Sequence, residues 1–269
     1  MSEAGLPAGP FGVTLLVTAA ALVAMLGVTF AVALKAGKHS VVDTAWGIGL
    51  ALAAVVSLLS SAGYGQSARR YTLLAAAVIW GLRLAVYVGW RNRGKPEDPR
   101  YRDLLSRAKG NKNLYALRSV YLLQAVILWV ACLPIQAGML ERAPAGAITV
   151  VGAAIWLGGF VFESVGDGQL ARFKADPAHR GMIMDRGLWR YTRHPNYFGD
   201  ACMWWGLFLI SVGSAVELAF IVAPLLMTYI LTRGTGQRMT DRRMAASRPQ
   251  YADYAARTSG FIPWPPKHR

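Results

Sequence analysis

The sequence predicts an all-α, polytopic integral membrane protein, and three observations predict it. The 269 residues are 54% hydrophobic but only 16% charged, with a mean hydropathy of +0.33; a soluble domain of this length carries more charge and shorter apolar runs. Uncharged runs of roughly 17–24 residues recur, long enough to cross a bilayer as helices. The basic residues gather on alternate connections between those runs. No Gly/Ser linker, low-complexity block or internal repeat interrupts the pattern, so residues 1–269 read as a single membrane domain.

About seven spans follow in order. The first is Phe11–Leu34. It is preceded by MSEAGLPAGPFG, which lacks a basic n-region, so a cleaved signal peptide is not expected. The second, Val41–Ser60, opens on Asp43 in HSVVDTAWG. The third, Tyr71–Trp90, holds Arg83 inside it. The fourth and fifth are Leu117–Ala137 and Ala147–Val165. The last two, Tyr197–Val212 and Ala215–Leu231, are short and joined by a tight turn near Gly213, which reads as a helical hairpin. Between the fifth and sixth, GDGQLARFKADPAHRGMIMDRG reads as an interfacial helix followed by a turn. After the seventh, RMTDRRMAASRPQYADYAARTSGFIPWPP reads as an amphipathic helix ending in a Pro/Trp-rich cap, whose Trp and Tyr suit a membrane interface.

Charge sets the expected topology. With the N-terminus outside, 25 of the 29 Lys and Arg residues fall on the inner segments 35–40, 91–118, 166–196 and 233–269. Arg69, Arg70 and Arg142 fall outside, and Arg83 lies within the third span. Cytoplasmic loops of membrane proteins carry this excess, so the C-terminus is expected in the cytoplasm, with the chain multi-pass in a bacterial inner membrane. The same rule accounts for the net charge of +15 without nucleic acid as a partner. Cys132 and Cys202 both fall in spans; they make no disulfide framework, and no metal-ligand spacing is present. No obligate protein partner is evident, and the partner expected is a lipid reached through the membrane.

Charges in the membrane are costly and face a cavity or each other. The short list is Asp43, Arg83, Glu163, Asp167 and Asp200. Asp43 and Arg83 are placed to pair. Glu163 and Asp167 stand four residues apart, on one helix face, and two adjacent acids need cations or donors. Arg172, Lys174, Arg190 and Arg193 are the nearby candidates.

The densest polar stretch is LWRYTRHPNYFGD, Leu188–Asp200. Pro195 is expected to start a helix, as Pro is tolerated at the first helical position. Free N–H groups there favour an anion, and Gly199 permits close approach. Arg190, Arg193 and His194 precede that start, and Asn196, Tyr197 and Asp200 line the first turn. An anion cradle beside a carboxylate and an amide suits a ligand with phosphate and other polar groups, as a nucleotide cofactor has.

At this point the residues resemble a family. DRGLWRYTRHPNYFGDACMWWG resembles the signature of the steroid 5α-reductases, the sterol reductases and the isoprenylcysteine carboxyl methyltransferases, and is most similar to bacterial proteins grouped with the 5α-reductases. FESVGDGQLARFK, RNRGKPEDPRY and the tail RRMAASRPQYADYAARTSGFIPWPP are similar to segments of the same superfamily. The resemblance covers about residues 80–105 and 160–265. It implies a seven-helix membrane fold that binds its cofactor, NADPH in the reductases, in the cytoplasmic half. Residues 147–269 would then form the cofactor half, with cytoplasmic loops and C-terminal cap, and 1–137 the lipid-substrate half.

The matched cofactor positions are Asn92, Asp167, Lys174, Arg193, His194, Asn196, Tyr197, Asp200 and Arg233; Glu163 joins Asp167, and Arg172 and Arg190 are added as phosphate partners on their chemistry. No G-x-G-x-x-G stretch is present, so a Rossmann site is not expected. The resemblance implies an NADPH-dependent reductase of a carbon–carbon double bond in a steroid-like or other lipid, with Tyr197, Asp43 and Tyr87 as candidates for the proton donor or polariser. The chain departs from the 5α-reductases in the substrate half, where their ketone-polarising Tyr falls at Gly81 beside Trp80. The alternatives are an S-adenosylmethionine-dependent lipid or isoprenoid methyltransferase and a non-catalytic lipid-binding scaffold with the same fold.

Overall fold

The computed structural model describes residues 6–234 and 236–267. Residues 1–5, Thr235, His268 and Arg269 lie outside them. The described residues are helical apart from turns and a single bridge between Thr192 and Ser259. Six helices are long and apolar enough to cross a membrane: Ala8–Ala36, His39–Ser60, Ser67–Asn92, Lys112–Ala131, Ala147–Ala175 and Val216–Ser247. The chain is thus a multi-pass membrane protein by helix length and composition. The predicted span Tyr197–Val212 is a 17-residue helix, Pro195–Ser211.

The chain divides into two compact units. One holds the chain up to Val150 together with Ile210–Ala223; the other holds Val151–Leu209 and Pro224–Arg269. In the first unit, α1 (Ala8–Ala36) ends at Gly37, which takes a left-handed φ of 65° and turns the chain out of the helix. A short turn, His39–Val41, leads into α2 (Val42–Ser60), and α3 (Ser67–Asn92) packs against it. The α2–α3 contact is made by small residues. A Cβ on Gly47 would lie 2.7 Å from the Ala85 nitrogen, and one on Gly81 would lie 3.2 Å from the Ala51 nitrogen, so the two backbones touch.

A further helix, α4 (Pro99–Leu105), starts with Pro99 at its first position and the Asp98 carboxylate accepting from Arg100 N. After it, α5 (Lys112–Ala116), a π turn at Leu117–Leu122 and α6 (Leu123–Ala131) run on as one span. The predicted fourth span, Leu117–Ala137, therefore starts earlier and ends earlier. The chain breaks at Cys132 and resumes as the short α7 (Leu133–Gly138), with Pro134 unable to continue the preceding helix. Tyr101 packs α4 into a core with Leu26, Ala33, Val42 and Tyr121.

Arg69, read from the sequence as an outer-loop cation, is buried at 1% exposure. Its guanidinium donates to Ile210 O at 3.0 Å and Ala143 O at 2.8 Å, with longer contacts to Pro144 O, Val212 O and Thr149 Oγ1. Carbonyls left over at helix ends and in the Ala143–Pro144 turn thus satisfy a buried charge. Arg70 does the same for the end of α2, donating to Leu58 O at 2.8 Å and Ser61 O at 2.9 Å.

In the second unit, α8 (Ala147–Ala175) runs unbroken for 29 residues. The predicted interfacial helix after Val165 is its continuation, because nothing between Val165 and Ala175 stops a helix. Two short turns, Pro177–His179 and Gly187–Arg190, lead to α9 (Pro195–Ser211). Then come α10 (Val222–Thr232), α11 (Gln237–Ser247) and α12 (Tyr251–Arg257). The tail is two helices rather than one, since Pro249 follows Arg248, whose extended backbone ends α11.

Candidate functional site

The dense polar stretch is built on the α8–α9 contact. Pro195 occupies the first position of α9, as expected. A Cβ on Gly166 would lie 3.2 Å from Pro195 and 3.5 Å from Asn196 N; one on Gly199 would lie 2.5 Å from Gly159 O and 2.6 Å from Glu163 N. The glycines thus bring the first turn of α9 directly onto the turn of α8 between Glu163 and Asp167. Both carboxylates are buried there, at 4% and 3% exposure. Asn196, Tyr197 and Asp200 are half-buried on the facing turn, and the Asn196 Oδ1 is buried with no hydrogen-bond partner among the described residues. A buried acceptor without a donor is costly unless a ligand or water meets it.

The approach to this turn is held by backbone and indole contacts. Trp189 Nε1 donates to Gly166 O at 3.0 Å, and Leu188 N to the Gln169 side chain at 3.0 Å. Gly187 makes the turn possible with a φ of 58°.

Arg193 and His194, expected to face a phosphate, are held by the C-terminal segment instead. Asp241 of α11 accepts from Arg193 Nη2 at 3.0 Å and stands 2.7 Å from His194 Nε2; the Tyr251 hydroxyl and Gln237 amide complete its shell. Arg193 Nη1 also donates to Ala255 O at 3.0 Å and Thr258 O at 2.9 Å. The tail is fastened further by Thr192 Oγ1 to Phe261 O, Trp264 N to Tyr191 O, and Tyr254 OH to Trp189 O. Burial, and then the neighbouring Asp241 carboxylate, push the Tyr251 phenol up, so it stays protonated as the donor. Tyr197 stacks on His194 at a centroid distance of 5.2 Å, with its hydroxyl 3.5 Å from Thr240 Oγ1.

Arg172, Lys174, Arg190 and Arg233 are exposed in the same unit. Asp43, Tyr87 and Asn92 belong to the other unit. Asp43 is held by Arg100 at 2.6 Å and by the Tyr101 hydroxyl at 2.5 Å; the expected pairing with Arg83 gives way to these two, because α4 folds back onto the start of α2. Burial, then Asp43, raise the Tyr101 phenol above its ordinary value. Arg83 and Arg91 lie over the Tyr87 ring at 5.2 and 5.7 Å.

Sequence reasoning missed Asp241, Arg100 and Tyr101. A signal existed for the first: Asp241 is the single acid among the arginines of Arg238–Arg243. Among the described residues no group of three or more His, Cys, Asp or Glu is arranged to hold a metal ion.

Comparison with known proteins decides the family. The chain matches, over residues 29–258, the family described as "Protein of unknown function (DUF1295)". It belongs to that family. It is similar to an uncharacterised protein of Schizosaccharomyces pombe, 26% identical over 253 residues that cover 83% of this chain and 72% of the relative. No solved structure matches it.

Proposed function

We propose that this DUF1295 protein is an NADPH-dependent reductase of a carbon–carbon double bond in a lipid. In this reading it spans a bacterial inner membrane seven times, with the α9 helix as one span, the N-terminus outside and the C-terminus cytoplasmic. The reading rests on the resemblance of Asp185–Gly206 to the 5α-reductase signature and on one structural observation. Glu163 and Asp167 are buried where α8 meets the start of α9, a face on which the Asn196 Oδ1 is buried with no donor among the described residues.

Such a face fits the amide and hydroxyl donors of a nicotinamide riboside. The exposed Arg172, Arg190 and Arg233 fit its phosphates, since guanidinium forks match phosphate geometry. Arg193 and His194 act one step back: by gripping Asp241 they hold the start of α9 in place. When bound, NADPH supplies a hydride to the more electrophilic alkene carbon. Tyr197 is the donor this site offers for the proton that completes addition at the other carbon, through a phenol that Thr240 and the His194 ring orient. Asp43, ion-paired to Arg100, serves better to fix α4 than to give up a proton. Tyr87, flanked by two guanidiniums, remains the second donor candidate.

One observation favours a second reading, an S-adenosylmethionine-dependent lipid methyltransferase. The buried carboxylates Glu163 and Asp167 suit the sulfonium and ammonium of that cofactor. Thermal shift of the detergent-purified protein separates the two. Specific ligands stabilise as the logarithm of their concentration above Kd. Stabilisation by NADPH in preference to NADH supports the reductase, and stabilisation by S-adenosylmethionine alone replaces it with the methyltransferase. No shift with any of the three refutes both and leaves a non-catalytic lipid-binding scaffold.

A further inference from the structure

The first unit contains a cavity of about 410 Å³ that the proposed function does not use. It opens where α1 ends, beside Gly37, and is walled on the far side by α4 and α5. Its apolar wall is Ala33, Leu34 and Leu105; its polar wall includes Arg102, Lys112 and Asn113. Arg102 and Lys112 are exposed, and their side chains form no hydrogen bond or ion pair among the described residues. Lys35 and Lys38 stand at the same end of α1.

One acid, Glu97, lines the cavity, and its charge is already met. Glu97 accepts from the backbone N–H of His39, of Ser40 at 2.9 Å and of Asp98 at 3.0 Å. His39, only 6% exposed, lines the same space. Its Nδ1 lies 3.1 Å from the Tyr121 hydroxyl and its ring stacks on Phe30, so the ring is held and its other nitrogen is left for a ligand. Leu34 is 45% exposed at the mouth, on the apolar surface of a membrane-spanning helix. The cavity therefore has cations and an imidazole on one side and lipid-facing aliphatic surface on the other, at the depth where a span ends.

We infer that this cavity binds the phosphate headgroup of an anionic membrane phospholipid, with Arg102 and Lys112 on the phosphate and the acyl chain leaving along Ala33 and Leu34. Its volume lies in the range of sites that enclose a small polar group. Each Lys or Arg near an anionic surface contributes modestly, so two acting on one phosphate give selection for charge. The site stands independently of the reductase reading.

The test uses the full chain in mild detergent. The thermal midpoint is followed while phosphatidylglycerol, phosphatidylcholine or glycerol 3-phosphate is added at matched phosphate concentrations. Phosphatidylglycerol is expected to stabilise and the other two are not. The double variant Arg102→Gln/Lys112→Gln is expected to need at least tenfold more phosphatidylglycerol for the same shift. Lys109→Gln/Arg118→Gln, exposed cations outside the cavity, is expected to behave as the parent. Ser106→Trp at the exposed wall keeps every charge but fills the space, and is also expected to lose the response. Equal losses in the two double variants, or an unchanged response in Ser106→Trp, would overturn the site as a cavity and leave only general surface charge. An equal shift from glycerol 3-phosphate would overturn the lipid in favour of a soluble phosphate compound.

Discussion

Removing the Asp241 carboxylate is the sharpest test of how the tail segment is fastened to the α9 start. Asp241 keeps 21% of its side-chain surface in water, whereas Arg193 keeps 15% and His194 3%. Hydrogen bonds to charged groups contribute about 1.5–3 kcal/mol each. Breaking one partner of a buried pair costs about 3–5 kcal/mol, because the other charge is stranded. Partial exposure of Asp241 places Asp241→Ala at the low end, about 3 kcal/mol, or roughly a hundredfold in the population of the undocked tail. Trypsin in detergent reads that population, since Arg242, Arg243 and Arg257 all lie on the tail. When undocking and redocking are fast relative to cleavage, the cleavage rate follows the open fraction. Asp241→Ala should therefore be cut roughly a hundredfold faster. Arg193→Ala should show much the same, and the double variant little more than either single, because both remove one network. Parental cleavage rates in Asp241→Ala would refute the fastening. If Arg193→Ala alone left the tail protected but abolished the NADPH response, Arg193 would be a ligand to the cofactor, as its sequence neighbourhood suggests.

Three further outcomes are expected. Gly199→Ala places a Cβ within 2.6 Å of backbone on α8, which cannot move aside, so the thermal midpoint should fall by the equivalent of about 1–3 kcal/mol; an unchanged midpoint would remove the tight α8–α9 contact. Arg69→Met strands the Ile210 and Ala143 carbonyls and should cost about 3 kcal/mol or more, seen as loss of folded protein on size-exclusion chromatography, with Arg69→Lys rescuing little because an ammonium cannot span the same acceptors. The raised Tyr101 phenol stabilises the fold fully below the ordinary phenol value near 10 and loses that contribution as pH rises through its own higher value. Melting midpoints taken from pH 9 to pH 11 should fall less steeply in Tyr101→Phe than in the parent, and parallel curves would show that the Asp43 contact does not depend on this proton.

What was legible in the sequence was whatever is decided locally. Crossing a bilayer is a matter of length and composition, so the apolar runs located the six helices long and apolar enough to span, and set the ends of the first three to within a few residues; the remaining predicted span, Tyr197–Val212, is a 17-residue helix outside those six. Pro195 as a helix start was equally local. The errors fall where a segment's end depends on what it meets. α8 runs on to Ala175 because Asp167, Arg172 and Lys174 are all compatible with a helix, and polarity alone was taken for a break. α6 stops at Ala131 because Pro134 removes a backbone donor inside an otherwise apolar run.

The candidate site divides on the same line. Glu163 and Asp167 share a helix face by spacing alone, and the structure keeps them together and buries them. Arg193 looked like an anion grip because it precedes a helix start, where free N–H groups and cations both favour negative charge. Its actual acceptors are a carboxylate and two carbonyls, 48, 62 and 65 residues further along the chain. A guanidinium fork is satisfied as well by a folded-back backbone as by a phosphate, and no property of the residues next to it distinguishes the two. The distinction lies in which acceptor arrives, and here the tail supplies Asp241 and a pair of helix-end carbonyls to Arg193. Arg193 keeps its Nε buried without a hydrogen-bond partner among the described residues, while Arg172, Arg190 and Arg233 are exposed, so the proposed cofactor reading draws on those three as well as on the motif.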